Sequence, residues 1–279
     1  MTNPLLLSIT IDIDPILVQL GPFAVRWYGL MYVVGIMAGL YVALPYARRR
    51  GLDENRVWTV FWWGLIAGLI GARLYYVVQS DVGAYLAQPA RILAFWEGGM
   101  AFYGAIFAAT AALAWACRRE RVPFWTLADV AAFFAIVGQG FGRIGNIING
   151  DVVGYPTDLP WGFVYTHPRS FVPDHTVAYQ PAAVYELLFN ALLFAILWPL
   201  RFRLRRPGLL FVGYVILYSV GQFILFFWRD NEVLLRGLKQ AQLTALVVLA
   251  LALPLWWWLS RRGSAQDILT APEPPSGGQ

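Results

Sequence analysis

The segment 138–154, GQGFGRIGNIINGDVVG, carries the residues best suited to chemistry. At helical spacing it presents two neighbouring stripes. One stripe contains Gln139, Arg143, Asn146 and Gly150, and the other contains Gly138, Gly142, Gly145 and Asn149. Arg143 lies near the end of an apolar run that begins at Phe124, and an arginine at membrane depth requires an interior cavity and a partner. Arg143 and Asn146 therefore predict an anion-binding site, whereas the glycines alone favour close packing of helices or of a lipid.

The composition is typical of a polytopic membrane protein. Of 279 residues, 59% are hydrophobic and only 13% are charged. The formal charge of +5 comes from arginines clustered between apolar runs, which indicates membrane orientation, and no nucleic-acid-binding motif accompanies it. A single cysteine, Cys117, excludes an internal disulfide. With two histidines, one cysteine and no carboxylate cluster, we do not expect a dedicated metal site.

Seven apolar runs are long enough to cross a membrane. They cover approximately 22–47, 57–79, 99–117, 124–148, 182–200, 208–228 and 240–259. Arginine clusters follow the first, third, fifth and seventh runs, so the positive-inside rule places the N-terminus outside and the C-terminus in the cytoplasm. We predict an all-α fold in which residues 1–263 form a single membrane domain. It includes a turn-rich or β-containing outer head at 149–181, and a disordered cytoplasmic tail follows at 264–279. Residues 85–97 predict a helix in the interface.

The predicted topology places several polar residues in the outer half of the membrane. These residues are Arg26, Arg73, Arg143, Asn146 and Glu186. Three arginines and one glutamate leave an excess of positive charge, for which a lipid phosphate is the natural partner. Structural alternatives stay open: Arg26 could reach the interface, and Arg73 could pair with Glu186 or a backbone carbonyl. Asp151, just beyond the membrane edge, is placed to hold the guanidinium of Arg143.

Two tyrosines near the same level have equally open roles. Tyr28 could be an interfacial aromatic residue, and Tyr103, after a Gly-Gly turn, could pack or donate to a phosphate or ester oxygen. His167 and His175 both fall in the predicted head, where surface or stabilising roles are the expected ones. No serine lies in a nucleophile-elbow motif, which argues against a serine hydrolase.

The chain resembles the bacterial prolipoprotein diacylglyceryl transferases in a series of motifs that keep their order. The matching segments are GPFAVRWYGLMY at 21–32, GARLYYV at 72–78, WEGGMAFYG at 96–104, GRIGNIINGDVVG at 142–154, QPAAVYELL at 180–188, GQFILFFWRD at 221–230 and AQLTAL at 241–246. The resemblance implies a seven-helix enzyme of the bacterial inner membrane with a periplasmic head. It also implies transfer of the diacylglyceryl group of phosphatidylglycerol to the lipobox cysteine of a preprolipoprotein, without a cofactor.

The resemblance also implies which residues form the site. Tyr28, Tyr103, Arg143 and Asn146 occupy the catalytic positions. The implied phospholipid-binding set adds Gly142, Gly145, Asn149, Asp151, Gly154, Arg73, Glu186 and Arg229. Donors around Arg143 suit an anionic glycerophosphate leaving group, and the substrate cysteine attacks as a thiolate.

The chain departs from the family pattern within the site. Tyr103 stands where the family carries histidine, Gln222 replaces an arginine, and Phe226 replaces its glutamate partner. Asp151 stands for glutamate, and Gln180 replaces histidine. An alternative hypothesis is therefore a divergent homologue that binds phospholipid without this activity or uses another acceptor. A transporter is a third hypothesis, weakened because the chain shows no internal repeat.

Overall fold

The computed structural model describes residues 8–21, 23–94 and 98–261, which are mostly α-helical. The helices are α1 Trp27–Arg49, α2 Glu54–Gln79, α3 Val82–Ala87, α4 Phe102–Arg119, α5 Phe124–Asn149, α6 Ala182–Leu200, α7 Leu209–Leu225 and α8 Gln240–Arg261. The strands are β1 Ile9–Ile11, β2 Ile16–Leu20, β3 Phe23–Arg26, β4 Phe163–Tyr165, β5 Val233–Leu235 and β6 Leu238–Lys239. One 3₁₀ helix covers Pro89–Leu93.

Helices occupy all seven apolar runs, and five of them are long and apolar enough to cross a membrane. These five are α1, α2, α5, α6 and α8. Helix α7 is apolar but has 17 residues, and α4 has 18. The outward surface of these helices is itself apolar: Leu251 on α8 is 70% exposed and Met37 on α1 is 66% exposed. Exposed apolar side chains on long helices are typical of contact with lipid.

Two boundaries differ from the expectation. The first run was predicted to be helical from residue 22, but β3 occupies Phe23–Arg26 and α1 begins at Trp27. The predicted interfacial helix at 85–97 is instead a short helix ending at Ala87 and a 3₁₀ turn. Proline at 89 lacks the amide proton that a continuing helix needs, which separates the two pieces. Phe95 and Trp96 of that expectation, and the predicted tail 264–279, lie outside the described residues.

The chain forms two compact units. One contains residues 19–23 and 40–130, and within it α2 packs on α4. Gly71 and Gly104 allow this close approach, since a Cβ on either glycine would meet the backbone of the other. At the far end of α2, the N-cap Asp53 accepts a hydrogen bond from the amide of Arg56 at 2.9 Å.

The other unit contains residues up to 18, residues 24–39 and residues from 131 onward. Helices α6, α7 and α8 pack in sequence order within it. Helix α5 ends at Asn149 because Gly150 follows in the left-handed region, at φ 73°. The segment after Gly150 pairs with the N-terminal strand, since β4 lies parallel to β1. Phe163 of β4 also forms an isolated β-bridge with Tyr179.

Candidate active site

A buried carboxylate on α6 joins two arginines from different elements. Arg143 lies two turns before the end of α5, and Arg229 follows the end of α7. Glu186 Oε2 lies 2.5 Å from Nη2 of Arg143, and Glu186 Oε1 accepts a hydrogen bond from Nη1 of Arg229 at 3.2 Å. The Glu186 side chain is only 1% exposed. Two guanidinium groups therefore share one carboxylate that solvent does not reach.

This arrangement leaves one positive charge without a buried partner carboxylate. The side chains of Arg143 and Arg229 are 21% and 16% exposed, so both guanidinium groups remain within reach of a ligand. Burial lowers the pKa of the Arg229 guanidinium from its ordinary value, and the charge of Glu186 opposes that change. Arginine side chains remain protonated in proteins at neutral pH. The cluster suits a monoanion such as a phosphodiester.

Asn146 connects Arg143 to the loop that follows α5. Its Oδ1 accepts a hydrogen bond from Nη1 of Arg143 at 3.1 Å, and its Nδ2 donates to Oδ1 of Asp151 at 3.0 Å. The one-turn spacing predicted the first contact correctly. The expectation that Asp151 binds the guanidinium of Arg143 is wrong. Asp151 accepts a hydrogen bond from Asn146, and the carboxylate that pairs with Arg143 is Glu186. Asp151 is solvent-exposed, so water screens its charge.

Tyr28, near the start of α1, approaches the same asparagine. Its hydroxyl lies 2.9 Å from the hydroxyl of Tyr32 and near the side chain of Asn146. Gly145 permits this approach, since a Cβ at that position would lie 3.0 Å from the Cα of Tyr28. Tyr28 thus lies beside Asn146, and Gly145 is a packing glycine.

The remaining small and amide residues of the stripe have different surroundings. Within the described part of the chain, and apart from its chain neighbours and the adjoining α5 backbone, no atom lies within 4 Å of where a Cβ on Gly142 would be. Asn149 is buried, and its carbonyl accepts a hydrogen bond from the amide of Phe171 at 3.0 Å. Gly142 therefore leaves room beside the polar stripe, and the Asn149 backbone ties the end of α5 to the following segment.

Gly154 fixes the backbone from which Arg229 extends. Its amide donates to the carbonyl of Gln180 at 2.8 Å, and it forms a β-bridge with Arg229. A Cβ on Gly154 would collide with the carbonyl oxygen of Trp228. The glycine is needed because three backbone segments meet without space for a side chain.

The structure adds Tyr218 of α7, which the sequence analysis did not select. Its hydroxyl lies close enough to Arg143, Glu186 and Arg229 for their charges to act on it. Four residues earlier, the Tyr214 hydroxyl donates to Oε1 of Gln139 at 3.0 Å. Tyr214, Tyr218 and Gln222 recur every four residues on an apolar helix, and this polar stripe was the signal that could have identified Tyr218.

Phe226 and Arg229 show how the cluster accommodates one departure from the family pattern. The Phe226 ring lies beneath the guanidinium of Arg229, 4.6 Å from ring centroid to Cζ. The aromatic face supplies a weak attraction for the cation at the position where the resemblance implies a glutamate. The carboxylate partner of Arg229 is Glu186 on α6.

Arg73 and Tyr103 belong to the other compact unit. Arg73 is 2% exposed and donates to the carbonyls of Arg91 at 2.6 Å, Ile92 at 2.9 Å and Gly99 at 3.0 Å, as well as to that of Gly98. Of the alternatives considered for Arg73, these contacts support bonding to backbone carbonyls. Tyr103 lies in the first turn of α4 and is 36% exposed.

Arg26 and the histidines show structural contacts. The guanidinium of Arg26 stacks on Phe171, 4.9 Å from Cζ to ring centroid. Nδ1 of His175 lies 2.9 Å from the carbonyl oxygen of Tyr165, and Nε2 of His167 lies 3.9 Å from Asp14. Among the described residues, no group of three or more His, Cys, Asp or Glu side chains is placed to hold a metal ion.

Comparison with known proteins gives one consistent family. The family profile described as prolipoprotein diacylglyceryl transferase matches residues 15–258. A phosphatidylglycerol–prolipoprotein diacylglyceryl transferase of Synechococcus elongatus is 36% identical over 263 residues, covering 91% of each chain. Proteins of the same name from Geobacter sulfurreducens and Bordetella avium are 35% and 33% identical, covering 90% and 91% of this chain and 96% and 97% of their own. With the matched profile spanning the whole Arg143, Glu186 and Arg229 cluster, the chain belongs to the prolipoprotein diacylglyceryl transferase family.

Proposed function

We propose that the protein transfers the diacylglyceryl group of phosphatidylglycerol to the cysteine thiol of a prolipoprotein lipobox. The substrate thiolate forms a C–S bond to the carbon of the acylated glycerol that carries the phosphate. The bond from that carbon to the phosphate oxygen breaks at the same time. Glycerol phosphate leaves, and the thiol proton passes to solvent or to a nearby base. The observation that carries the proposal is the pair of arginines that share one buried carboxylate, since their excess charge matches a phosphodiester.

Charge development explains why this cluster assists the reaction. As the C–O bond breaks, negative charge grows on the phosphate oxygen of the leaving group. Arg143 is held by Asn146 on one side and by Glu186 on the other, so its donors are oriented before the substrate binds. Preoriented donors stabilise a developing anion without reorganisation during the step. Arg143 and Asn146 are therefore assigned to the phosphate and Tyr28 to positioning of the lipid ester, whereas the assignment of Tyr103 to the ester rests on the family resemblance alone.

The remaining residues receive supporting roles in the same proposal. Glu186 and Arg229 set the charge and position of Arg143, and Gly142 leaves space for the lipid. Asp151, Gly145, Asn149 and Gly154 hold the backbone and amide groups around the phosphate. Arg73 fixes the loop before Tyr103 through backbone carbonyls. No cofactor takes part.

The proposal includes a seven-span topology in the bacterial inner membrane. At a rise of about 1.5 Å per residue, the 18-residue α4 covers about 27 Å, close to the thickness of a hydrocarbon core. Arginines follow α1, α4, α6 and α8, which supports a cytoplasmic side for those ends. Arg143 then faces the periplasmic leaflet. A membrane-impermeant maleimide applied to intact cells should label a cysteine introduced at Arg236 and not one at Arg203, and the reverse pattern would refute this topology.

The function is tested with purified protein, phosphatidylglycerol and a lipobox peptide. We expect the peptide to gain the mass of a diacylglyceryl group in step with release of glycerol phosphate. Arg143→Ala should reduce the rate by about 100-fold, because a donor to the developing anion is lost. Arg203→Ala, an exposed arginine after α6, is the control and should keep the wild-type rate. Full turnover in Arg143→Ala would refute the assignment, and lipid binding without any turnover in the wild type would favour a non-catalytic homologue.

A further inference from the structure

Lys239 is the only lysine in the chain, and it is buried. The other twenty basic residues are all arginines, most of them in the clusters that set membrane orientation. Lys239 closes β6 just before α8 and is 4% exposed. A buried lysine is costly unless its ammonium group is fully hydrogen-bonded. Its identity and its burial both call for a specific role.

The Lys239 ammonium binds backbone carbonyls at both ends of the segment 226–229. Nζ donates to the carbonyl of Phe226 at 2.7 Å and to the carbonyl of Arg229. It also lies 4.7 Å from the centroid of the Tyr155 ring. The last carbonyls of a helix lack intrahelical partners and carry partial negative charge, so a cation at the end of α7 is stabilising.

Gln242 completes the same attachment from the first turn of α8. Its Oε1 accepts a hydrogen bond from the amide of Lys239 at 3.0 Å, and its Nε2 donates to the carbonyl of Phe223 at 3.1 Å. Gln242 is 1% exposed. Gln242 and Lys239 therefore bind three carbonyls spaced three residues apart at and just beyond the end of α7, and Lys239 binds two of them, including that of Arg229.

The geometry of these contacts suits lysine better than arginine. An ammonium group is a compact donor with three N–H bonds, which matches two converging carbonyls and one ring face. A planar guanidinium directs its donors outward in a fork and needs more space. This difference accounts for the one lysine in a chain whose other positively charged side chains are all arginines.

We propose that Lys239 is a positioning residue that sets the phospholipid site through Arg229. The Arg229 guanidinium reaches Glu186 only if its backbone is held where Lys239 and Gly154 hold it, and Glu186 in turn holds Arg143. Without the ammonium, the buried Phe226 carbonyl loses its donor, the Arg229 carbonyl keeps only the amide of Asn231 at 3.2 Å, and the 226–229 segment relaxes. The inference rests on the proposed function for its substrate, phosphatidylglycerol, and not for the contacts themselves.

The test compares Lys239→Met with Gln240→Met, a control at the exposed neighbouring position. Lys239→Met should raise the KM and the Kd for phosphatidylglycerol about tenfold. The KM for the lipobox peptide should stay unchanged. A general loss of structure would instead change the KM values for both the lipid and the peptide. Unchanged lipid binding in Lys239→Met, or equal changes for lipid and peptide, would overturn the proposal.

A double-variant cycle shows whether Lys239 acts through Arg229. If it does, Lys239→Met should add nothing to the lipid-binding defect of Arg229→Met, whereas independent effects would multiply and refute the proposal. Lipid Kd values still decide the matter if the wild type fails to transfer, since that failure refutes only the proposed reaction.

The native chain offers a third measurement that does not depend on a variant's folding. Lysine labelled with ¹³C at Cε gives a single side-chain signal, because Lys239 has no counterpart in the chain. Phosphatidylglycerol should shift that signal in the wild type. A signal that stays in place at saturating lipid would overturn the proposal.

Discussion

The carboxylate of Glu186 bridges the guanidinium groups of Arg143 and Arg229, at 2.5 Å and 3.2 Å. It joins Arg143, which the sequence pattern of α5 identified, to Arg229, which follows α7. The bridge also explains why Arg143 keeps its capacity to bind an anion. One carboxylate cannot neutralise two guanidinium groups.

Removing the bridge should damage both stability and lipid binding. Glu186→Gln leaves two guanidinium groups side by side with a neutral partner. Loss of one member of a buried ion pair costs about 3 kcal/mol, and we expect a destabilisation of that order together with a large loss of transfer. Thermal unfolding and the transfer rate measure the two effects. Glu232→Gln, in an exposed loop, is the control and should match the wild type; a Glu186→Gln protein of wild-type stability and activity would contradict the bridge.

Two glycines three residues apart should respond in opposite ways to alanine. At Gly142 no described atom would meet the new Cβ, so Gly142→Ala should stabilise α5 by up to about 1 kcal/mol. If a lipid occupies that space, the KM for phosphatidylglycerol should rise in the same variant. Gly145→Ala would press on Tyr28 and should destabilise the protein. Unfolding curves and lipid titrations of the two variants provide the measurement, and an unchanged KM in Gly142→Ala would remove Gly142 from the lipid site.

Tyr103→Phe separates the hydroxyl of Tyr103 from its ring. If the hydroxyl donates to an ester or phosphate oxygen of the lipid, transfer should fall about tenfold while stability stays constant, because the exposed ring is retained. Steady-state rates with phosphatidylglycerol and the lipobox peptide test this. Phe102→Leu, one residue earlier, controls for packing at the start of α4. Wild-type rates in Tyr103→Phe would leave Tyr103 with a packing role only.

The contact of Asp14 with the head segment should make the stability of the protein depend on pH in the acid range. Its carboxylate accepts hydrogen bonds from the amide of Ile16 and from Nη1 of Arg169, each at 2.9 Å. The backbone bond, followed by the charge of Arg169, lowers the pKa of Asp14 below its ordinary value of 3.8. A carboxyl whose pKa is depressed in the folded state stabilises the fold above its unfolded pKa. That stabilisation is lost as pH falls through the folded pKa.

Asp14→Asn should therefore lower the unfolding temperature at pH 6 and have progressively less effect as the pH falls below 3.8. Unfolding temperatures of both proteins over that pH range test the prediction. Asp158→Asn, at an exposed carboxylate in the same head segment, should lack this pattern. A difference between Asp14→Asn and the wild type that is constant with pH would show that the carboxylate charge is not responsible.

Local patterns in the sequence predicted a large part of this protein. Long apolar runs specified where helices form, because backbone groups in lipid must bond within their own helix. The one-turn spacing of Arg143 and Asn146 predicted their contact, since residues three apart share a helix face. The order of the motifs was enough to indicate the family.

Contacts between distant parts of the chain were decided only by the tertiary structure. Which carboxylate binds Arg143, Glu186 or Asp151, depends on how α5 packs against α6, and no spacing rule contains that information. The roles of Tyr218 and Lys239 were likewise hidden, because each depends on a partner that a different segment supplies. A helix period specifies which side chains share a face, but the partner of that face is set by packing among all the helices and loops at once.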